Sequence, residues 1–193
     1  MKLILASSSP YRERLLKRLG IPFSCQAPDL DESHLASESP EEMAQRLALA
    51  KARLVSAHNP GAWVIGSDQV ASLAGVIMNK PVTHEKAVQQ LRASSGNRVD
   101  FFTGIALAGG PENREWFHVE QFSVYFQELS DLDIEGYLLK EQPYDCAGSF
   151  KWEGLGIVLF ERLRGNDPTS LEGLPLIALS RLLRNAEINP LYI

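Results

Sequence analysis

The chain has 193 residues, 45% of them hydrophobic and 22% charged, and a formal net charge of -5. That length and balance describe one sizeable core, in one or two lobes, and exclude a disordered chain. Its 19 basic residues are scattered instead of gathered in a stripe, which argues against a nucleic-acid surface while leaving room for a small anion held by local positive charge. Cys25 and Cys146 have neither metal-pair nor redox spacing, so a reducing cytosol is the simplest setting. The apolar start Met1-Lys2-Leu3-Ile4-Leu5 is too short for a signal peptide and no run approaches membrane-spanning length, so the expectation is cytoplasmic, with no membrane partner.

Taken in chain order, Lys2 to Ser7 reads as a buried strand, and Pro10 to Leu19 as a helix with Leu15, Leu16 and Leu19 on one face, stopped by Gly20. Ser39-Pro40-Glu41-Glu42 opens a second helix, with Ser39 as N-cap and Glu42 as the return half of a capping box, running to about Ala57. A strand starts at Trp63, passes through Gly66-Ser67-Asp68-Gln69 and resumes at Val70 before a turn near Gly75. A helix over His84 to Ala93 follows. Residues 98–108 and 116–127 form the arms of an antiparallel hairpin around Gly109-Gly110-Pro111-Glu112-Asn113. A helix over Asp131 to Lys140, a strand over Ile157 to Leu163 and a helix over Leu174 to Arg184 complete the chain, which predicts an α/β fold with a mixed, partly antiparallel sheet flanked by helices.

Four segments carry candidate chemistry. In the first, a strand breaks into Ser7-Ser8-Ser9-Pro10 and a helix bearing Arg12 and Arg14 begins at once, leaving backbone N–H groups at the strand end for an anion; the same tripeptide is also an ordinary helix start. In the second, Asp68 interrupts an apolar strand beside Gly66. A buried carboxylate must be paired, metal-bound or tuned for acid-base work, which makes Asp68 the best general-base candidate, although a strand-end aspartate facing solvent gives the same pattern. The third, Asp145 to Gly154, mixes small residues with Lys151, Trp152 and Glu153 and is suited to bending around a ligand. The fourth, Gly165 to Ser170, reads on its local sequence as a plain turn and cap. With Glu32 beside Asp31, Lys51 in the second helix and Lys80 before Pro81, the chain offers phosphate-binding cations and carboxylates for a hard divalent metal, a mixture suited to metal-assisted hydrolysis of a phosphoanhydride. His34, His58, His84 and His118 lack metal-ligand spacing, and Cys146 reads as structural.

Ser7-Ser8-Ser9-Pro10-Tyr11-Arg12, Asp31-Glu32, Ala50-Lys51-Ala52, Gly66-Ser67-Asp68-Gln69-Val70, Lys80-Pro81, Phe102-Thr103-Gly104, Ala147-Gly148-Ser149 and Gly173-Leu174-Pro175 together resemble the Maf family in order and spacing over nearly the whole chain. The resemblance implies a single Maf-like domain over residues 1–193, of the Maf/ITPase-like fold with two lobes around a central cleft. It further implies a cytoplasmic nucleoside triphosphate pyrophosphatase that uses Mg²⁺, Mn²⁺ or Co²⁺ and forms a homodimer. It makes Asp68 the proton acceptor, with Lys51, Lys80 and Glu32 catalytic, Ser7, Ser9, Arg12, Asp145, Ser149 and Asp167 on the substrate, and Glu32 and Asp68 as metal ligands. Tyr11 stands where many members have arginine, and Asn79 where they have glycine. With Gln69 and Glu153, Tyr11 points to the branch that prefers 7-methyl-GTP. A carboxylate at Glu153 suits the N1–H and N2–H edge of guanine, and an aromatic face from Tyr11 or Trp152 suits a cationic methylated purine. The alternatives are dTTP or UTP as substrate, or a nucleotide-binding regulator of cell division.

Overall fold

A computed structural model describes residues 2–192 and shows a mixed α/β fold. The elements are β1 (Leu3–Leu5), α1 (Pro10–Lys17), β2 (Ser24–Cys25), α2 (Pro40–Ala57), β3 (Trp63–Leu73), β4 (Val76–Met78), α3 (His84–Ser94), β5 (Arg98–Gly109), β6 (Arg114–Phe126), α4 (Asp131–Glu141), β7 (Phe160–Arg164) and α5 (Leu176–Asn185). Strand order is β2-β1-β3-β5-β6-β7, with β4 on β3. Pairing is parallel for β1 with β2 and with β3, and antiparallel for β3 with β4 and for β6 with β7.

The chain divides into two compact units. The first comprises residues 1–69, 102–120 and 167–193. In it β1, residues 63–68 of β3 and residues 103–109 of β5 are buried on both faces, and the period of two sorts their side chains. Leu3, Leu5, Ile65, Ile105 and Leu107 pack with Leu15 and Leu16 of α1 and Leu179, Leu182 and Leu183 of α5. On the opposite face Ile4, Val64, Ala106 and Ala108 pack with Ala48, Ala52 and Val55 of α2. Each large aliphatic side chain so buried contributes about 1.5–3 kcal/mol.

The helix starts follow their local chemistry. Ser9 caps α1, with Pro10 in its first turn, and Ser39 and Glu42 form the expected reciprocal capping box at α2. Helix α2 lies unusually close to the strands. A Cβ on Gly66 would run into Ala48 O and come 2.7 Å from Ala52 N, and one on Gly104 would run into Ala44 O. Ala44, Ala48 and Ala52, spaced four apart, form the small-residue stripe that permits this.

The second unit comprises residues 70–101 and 121–166. Its core is an aromatic cluster in which Phe150 meets Phe101, Phe126 and Phe160 edge to face, with centroids 4.9–5.5 Å apart. Here the sequence expectation of a strand over 157–163 is corrected. Residues Leu155–Leu159 form a 3-10 helix and the strand begins at Phe160. The run Leu155 to Leu159 is apolar without alternating, and Gly156 donates its N–H to Lys151 O at 3.0 Å, which winds the chain tightly and leaves Ile157 and Val158 exposed. Helix α5 also starts two residues later than expected, at Leu176, after Pro175.

Gly66→Ala is expected to destabilise the protein by about 3 kcal/mol or more, because backbone rather than a flexible side chain must move. Gly136→Ala, inside α4 where an added Cβ meets nothing within 4 Å, is expected to stabilise it by about 0.5–1 kcal/mol. Urea unfolding of both variants checks the contrast.

Candidate active site

The alternation along β3 that sorts the core also sorts the polar groups at its end. Gly66 and Asp68 share the face that meets α2, and Ser67 and Gln69 share the other. Lys51 follows Ala48 by three positions on α2, and the close approach of that helix brings its Nζ to 2.6 Å from Asp68 Oδ1. The same ammonium is 2.7 Å from Glu32 Oε1. Lys51 is 4% exposed and Asp68 7% exposed, so this is a buried ion pair with a second, more exposed carboxylate on the same cation.

On the other face, Ser67 Oγ lies 2.8 Å from both Gly104 O and Gly173 O. Gln69 Nε2 donates to Ser170 O at 2.6 Å, and Thr103 Oγ1 donates to the same carbonyl at 3.0 Å. Ser67, Thr103 and Gly173 stand in the motifs that carry the family resemblance but are given no role there, since neither a hydroxyl in a strand nor a backbone carbonyl signals what it will bond.

The anion-site outline at the end of β1 is filled as follows. Ser7 Oγ accepts the Ser9 N–H at 3.1 Å and an Arg12 Nη1 bond at 3.5 Å, while Ser9 Oγ accepts the Arg12 N–H at 3.4 Å. Both hydroxyls accept from the protein, which directs their own protons elsewhere. Arg12 Nε donates to Gly173 O at 2.9 Å. Burial draws the Arg12 guanidinium below its ordinary pKa, and the charges of Asp68 and Glu32 pull it back up. The anion site and the carboxylates thus act on one another electrostatically.

Two expected substrate residues, Asp167 and Ser149, and the specificity residue Tyr11 have partners within the protein. Asp167 is 2% exposed; its carboxylate accepts from Thr169 N at 3.0 Å, Thr169 Oγ1 at 2.6 Å and Ile177 N at 2.7 Å, capping the 3-10 turn Pro168–Glu172 and the start of α5. That turn ends at Gly173, whose φ of 90° is left-handed and whose carbonyl holds Arg12. Ser149 is 0% exposed, with its hydroxyl donating to Gln90 Oε1 at 2.5 Å. Tyr11 has the Arg14 guanidinium 5.6 Å above its ring, so a cation already occupies one of its faces.

The second unit holds Lys80, Asp145, Ser149 and Glu153. Lys80, Asp145 and Glu153 are exposed, and Lys151 Nζ is 4.0 Å from Asp145 Oδ1. The Cys146 thiol is pushed up to about 12, mainly by burial, which fits the structural role expected of it.

No group of three or more His, Cys, Asp or Glu side chains able to hold a metal occurs among the described residues. Glu32 and Asp68 nevertheless converge on one cation, the Lys51 ammonium. Two converging carboxylates fit a magnesium-like ion that takes its remaining ligands from substrate phosphates and water, and do not make an all-protein cage.

Residues 2–186 match the family model described as Maf-like protein. The chain belongs to the Maf family. A Maf relative from Nitrosococcus oceani, named 7-methyl-GTP pyrophosphatase, is 55% identical over 184 residues, 95% of this chain and 92% of the relative. Similar solved structures include a HAM1 protein from Coxiella burnetii (18% identity, TM-score 0.49, 67% of this chain and 74% of that one). Protein VC0702 from Vibrio cholerae is another (13% identity, TM-score 0.45, 96% of each chain). No helix among the described residues is long and apolar enough to cross a membrane.

Removing the ammonium alone strands Asp68 as a buried charge. Lys51→Met is expected to cost about 3–5 kcal/mol, whereas Lys51→Met combined with Asp68→Leu regains most of it. Denaturant unfolding of the double-mutant cycle measures the coupling.

Proposed function

We propose that this Maf protein hydrolyses the α–β phosphoanhydride of 7-methyl-GTP, giving 7-methyl-GMP and diphosphate. The observation that carries the reading is the buried Asp68 carboxylate, held by Lys51 on one oxygen within the electrostatic reach of Arg12. The chain is a hydrolase acting on acid anhydrides, and the 7-methyl-GTP assignment draws on the name of its 55% identical relative.

Hydrolysis of such a bond needs a water aligned with the phosphorus, a base for its proton and positive charge against the oxygens. Asp68 is the base: Lys51 engages Oδ1, and Oδ2 takes the proton as the water oxygen bonds to phosphorus and the bridging P–O bond breaks, releasing diphosphate. Lys51 holds the carboxylate in place before the transfer. Arg12, with the hydroxyls of Ser7 and Ser9, binds phosphate oxygens, and Lys80 supplies a further cation to them. A divalent cation held by Glu32 and Asp68, when bound, supplies neutralisation of phosphate charge and acidification of water.

Glu153 accepts from the guanine edge, and a carboxylate there discriminates against thymine and uracil, which offer a single ring N–H. Gln69 and Tyr11 complete the base preference, and Asp145 contacts substrate. Asp167 and Ser149 serve the reaction by holding other residues. The protein acts as a single Maf-like domain, a cytoplasmic homodimer, and keeps a modified nucleotide out of nucleic acid.

Diphosphate release is to be measured with 7-methyl-GTP, GTP, dTTP and UTP in the presence of Mg²⁺ or Mn²⁺. The expected result is preference for 7-methyl-GTP, with Asp68→Asn lowering kcat by about 10²–10⁴. Equal or faster turnover of GTP overturns the base preference, and full activity in Asp68→Asn overturns the base assignment.

A further inference from the structure

One side chain in the second unit joins two segments that the reading above gives to different parts of the substrate. Gln90, on α3, donates from Nε2 to Asn79 O at 2.7 Å and accepts at Oε1 the hydroxyl of Ser149 at 2.5 Å. A carbonyl can only accept, so Asn79 O fixes which end of the amide faces it. That leaves Oε1 toward Ser149, whose hydroxyl must then donate. The bridge has one polarity, and both of its partners are specified.

What it joins is specific. Asn79 immediately precedes Lys80. Ser149 leads into Lys151, Trp152 and Glu153. Ser149 also has φ 63°, a left-handed conformation rare for a residue with a side chain, next to Gly148 at φ 77°. Such a backbone persists where surrounding bonds determine it. Here those are the Ser149 N–H to Cys146 O at 3.2 Å and the hydroxyl to Gln90. A second tie runs in parallel, from Val82 N to Tyr144 O at 3.1 Å. Beyond Ser149 the segment is anchored to α4, through Lys151 N to Tyr137 Oη at 3.0 Å and Leu155 N to Glu141 Oε2 at 2.9 Å.

We propose that Gln90 is a positioning residue that sets the spacing between the Lys80 segment and the Ser149–Glu153 segment, so that phosphate binding and base reading occur at one fixed separation. This rests on the assignment of Lys80 to phosphate and Glu153 to the base. Gln90 itself touches no substrate; its effect passes through its two partners. A nucleotide bound in one conformation has one distance between base and phosphates, so a bridge of fixed length between their two readers selects that conformation and turns base identity into correct placement at the phosphates.

Gln90→Met keeps the side-chain length and removes both bonds, and Ser149→Ala removes one. Hydrogen exchange of the free protein reads the bridge without any catalysis. Faster exchange over both 78–82 and 146–150 in Gln90→Met is expected, and acceleration in only one segment or neither overturns the bridge. In turnover, Gln90→Met is expected to lower kcat/KM for 7-methyl-GTP about tenfold or more, to narrow its preference over dTTP and UTP, and to be made no worse by adding Ser149→Ala. A fall in thermal stability with the preference intact reduces Gln90 to a structural residue and overturns the proposal. A wild-type protein inactive on every triphosphate overturns the proposed function instead, and the exchange measurement then decides the bridge by itself.

Discussion

The backbone of α2 rests on two glycines, Gly66 of β3 and Gly104 of β5, and most of the chemistry of the first unit follows from that approach. A helix held away by ordinary side chains would keep a lysine ammonium in solvent. Here Ala44, Ala48 and Ala52 meet the strands without side-chain bulk, and Lys51, one turn beyond Ala48, is carried to the strand end with them. Asp68 is two residues past Gly66 on the same face, so the strand period delivers the carboxylate to the place where the helix delivers the cation. A buried pair of this kind contributes little net stability. What the pair does provide is a carboxylate that is buried and held in one place.

Support for these groups is arranged behind them in a separate layer. Asp167 caps a 3-10 turn and the start of α5, the turn places Gly173, and the Gly173 carbonyl holds both Arg12 and Ser67. Gln69 ties the end of β3 to the same turn. The neutral pairs contribute about 1 kcal/mol net each, and the bonds made by Arg12 and Asp167 about 1.5–3 kcal/mol. Together they leave the guanidinium one geometry, and a charged group that need not reorganise is the more effective at an anion.

Much of this was legible in the sequence where a local signal coincides with a structural need. Ser9-Pro10 and Ser39-Pro40-Glu41-Glu42 start helices because their chemistry satisfies free N–H groups, whatever the rest of the chain does. Asp68 stood out because a carboxylate in an apolar strand demands a partner, though its partner's identity depended on how closely α2 packs. Other groups were illegible for the same physical reason. Ser149 sits in a segment that looks ligand-facing, and only the folded chain shows its hydroxyl turned inward, whereas Asp167 caps the turn that its segment suggests and only the family resemblance points it at substrate. Gln90 is an ordinary helix glutamine until Asn79 and Ser149 are brought to its two ends. The stretch from Leu155 to Leu159 misled because apolar content was read as strand, when the absence of alternation was the better guide.

The bond from Arg12 to Gly173 joins positions 161 residues apart. During synthesis the first strand and helix emerge early, with Ser7, Ser9 and Arg12 already adjacent, yet the carbonyl that orients the guanidinium is made near the end. A growing chain therefore carries Ser7, Ser9 and Arg12 without the bond that orients the guanidinium for most of its time on the ribosome. The guanidinium takes its orientation late, when the turn ending at Gly173 and the last helix dock against the first.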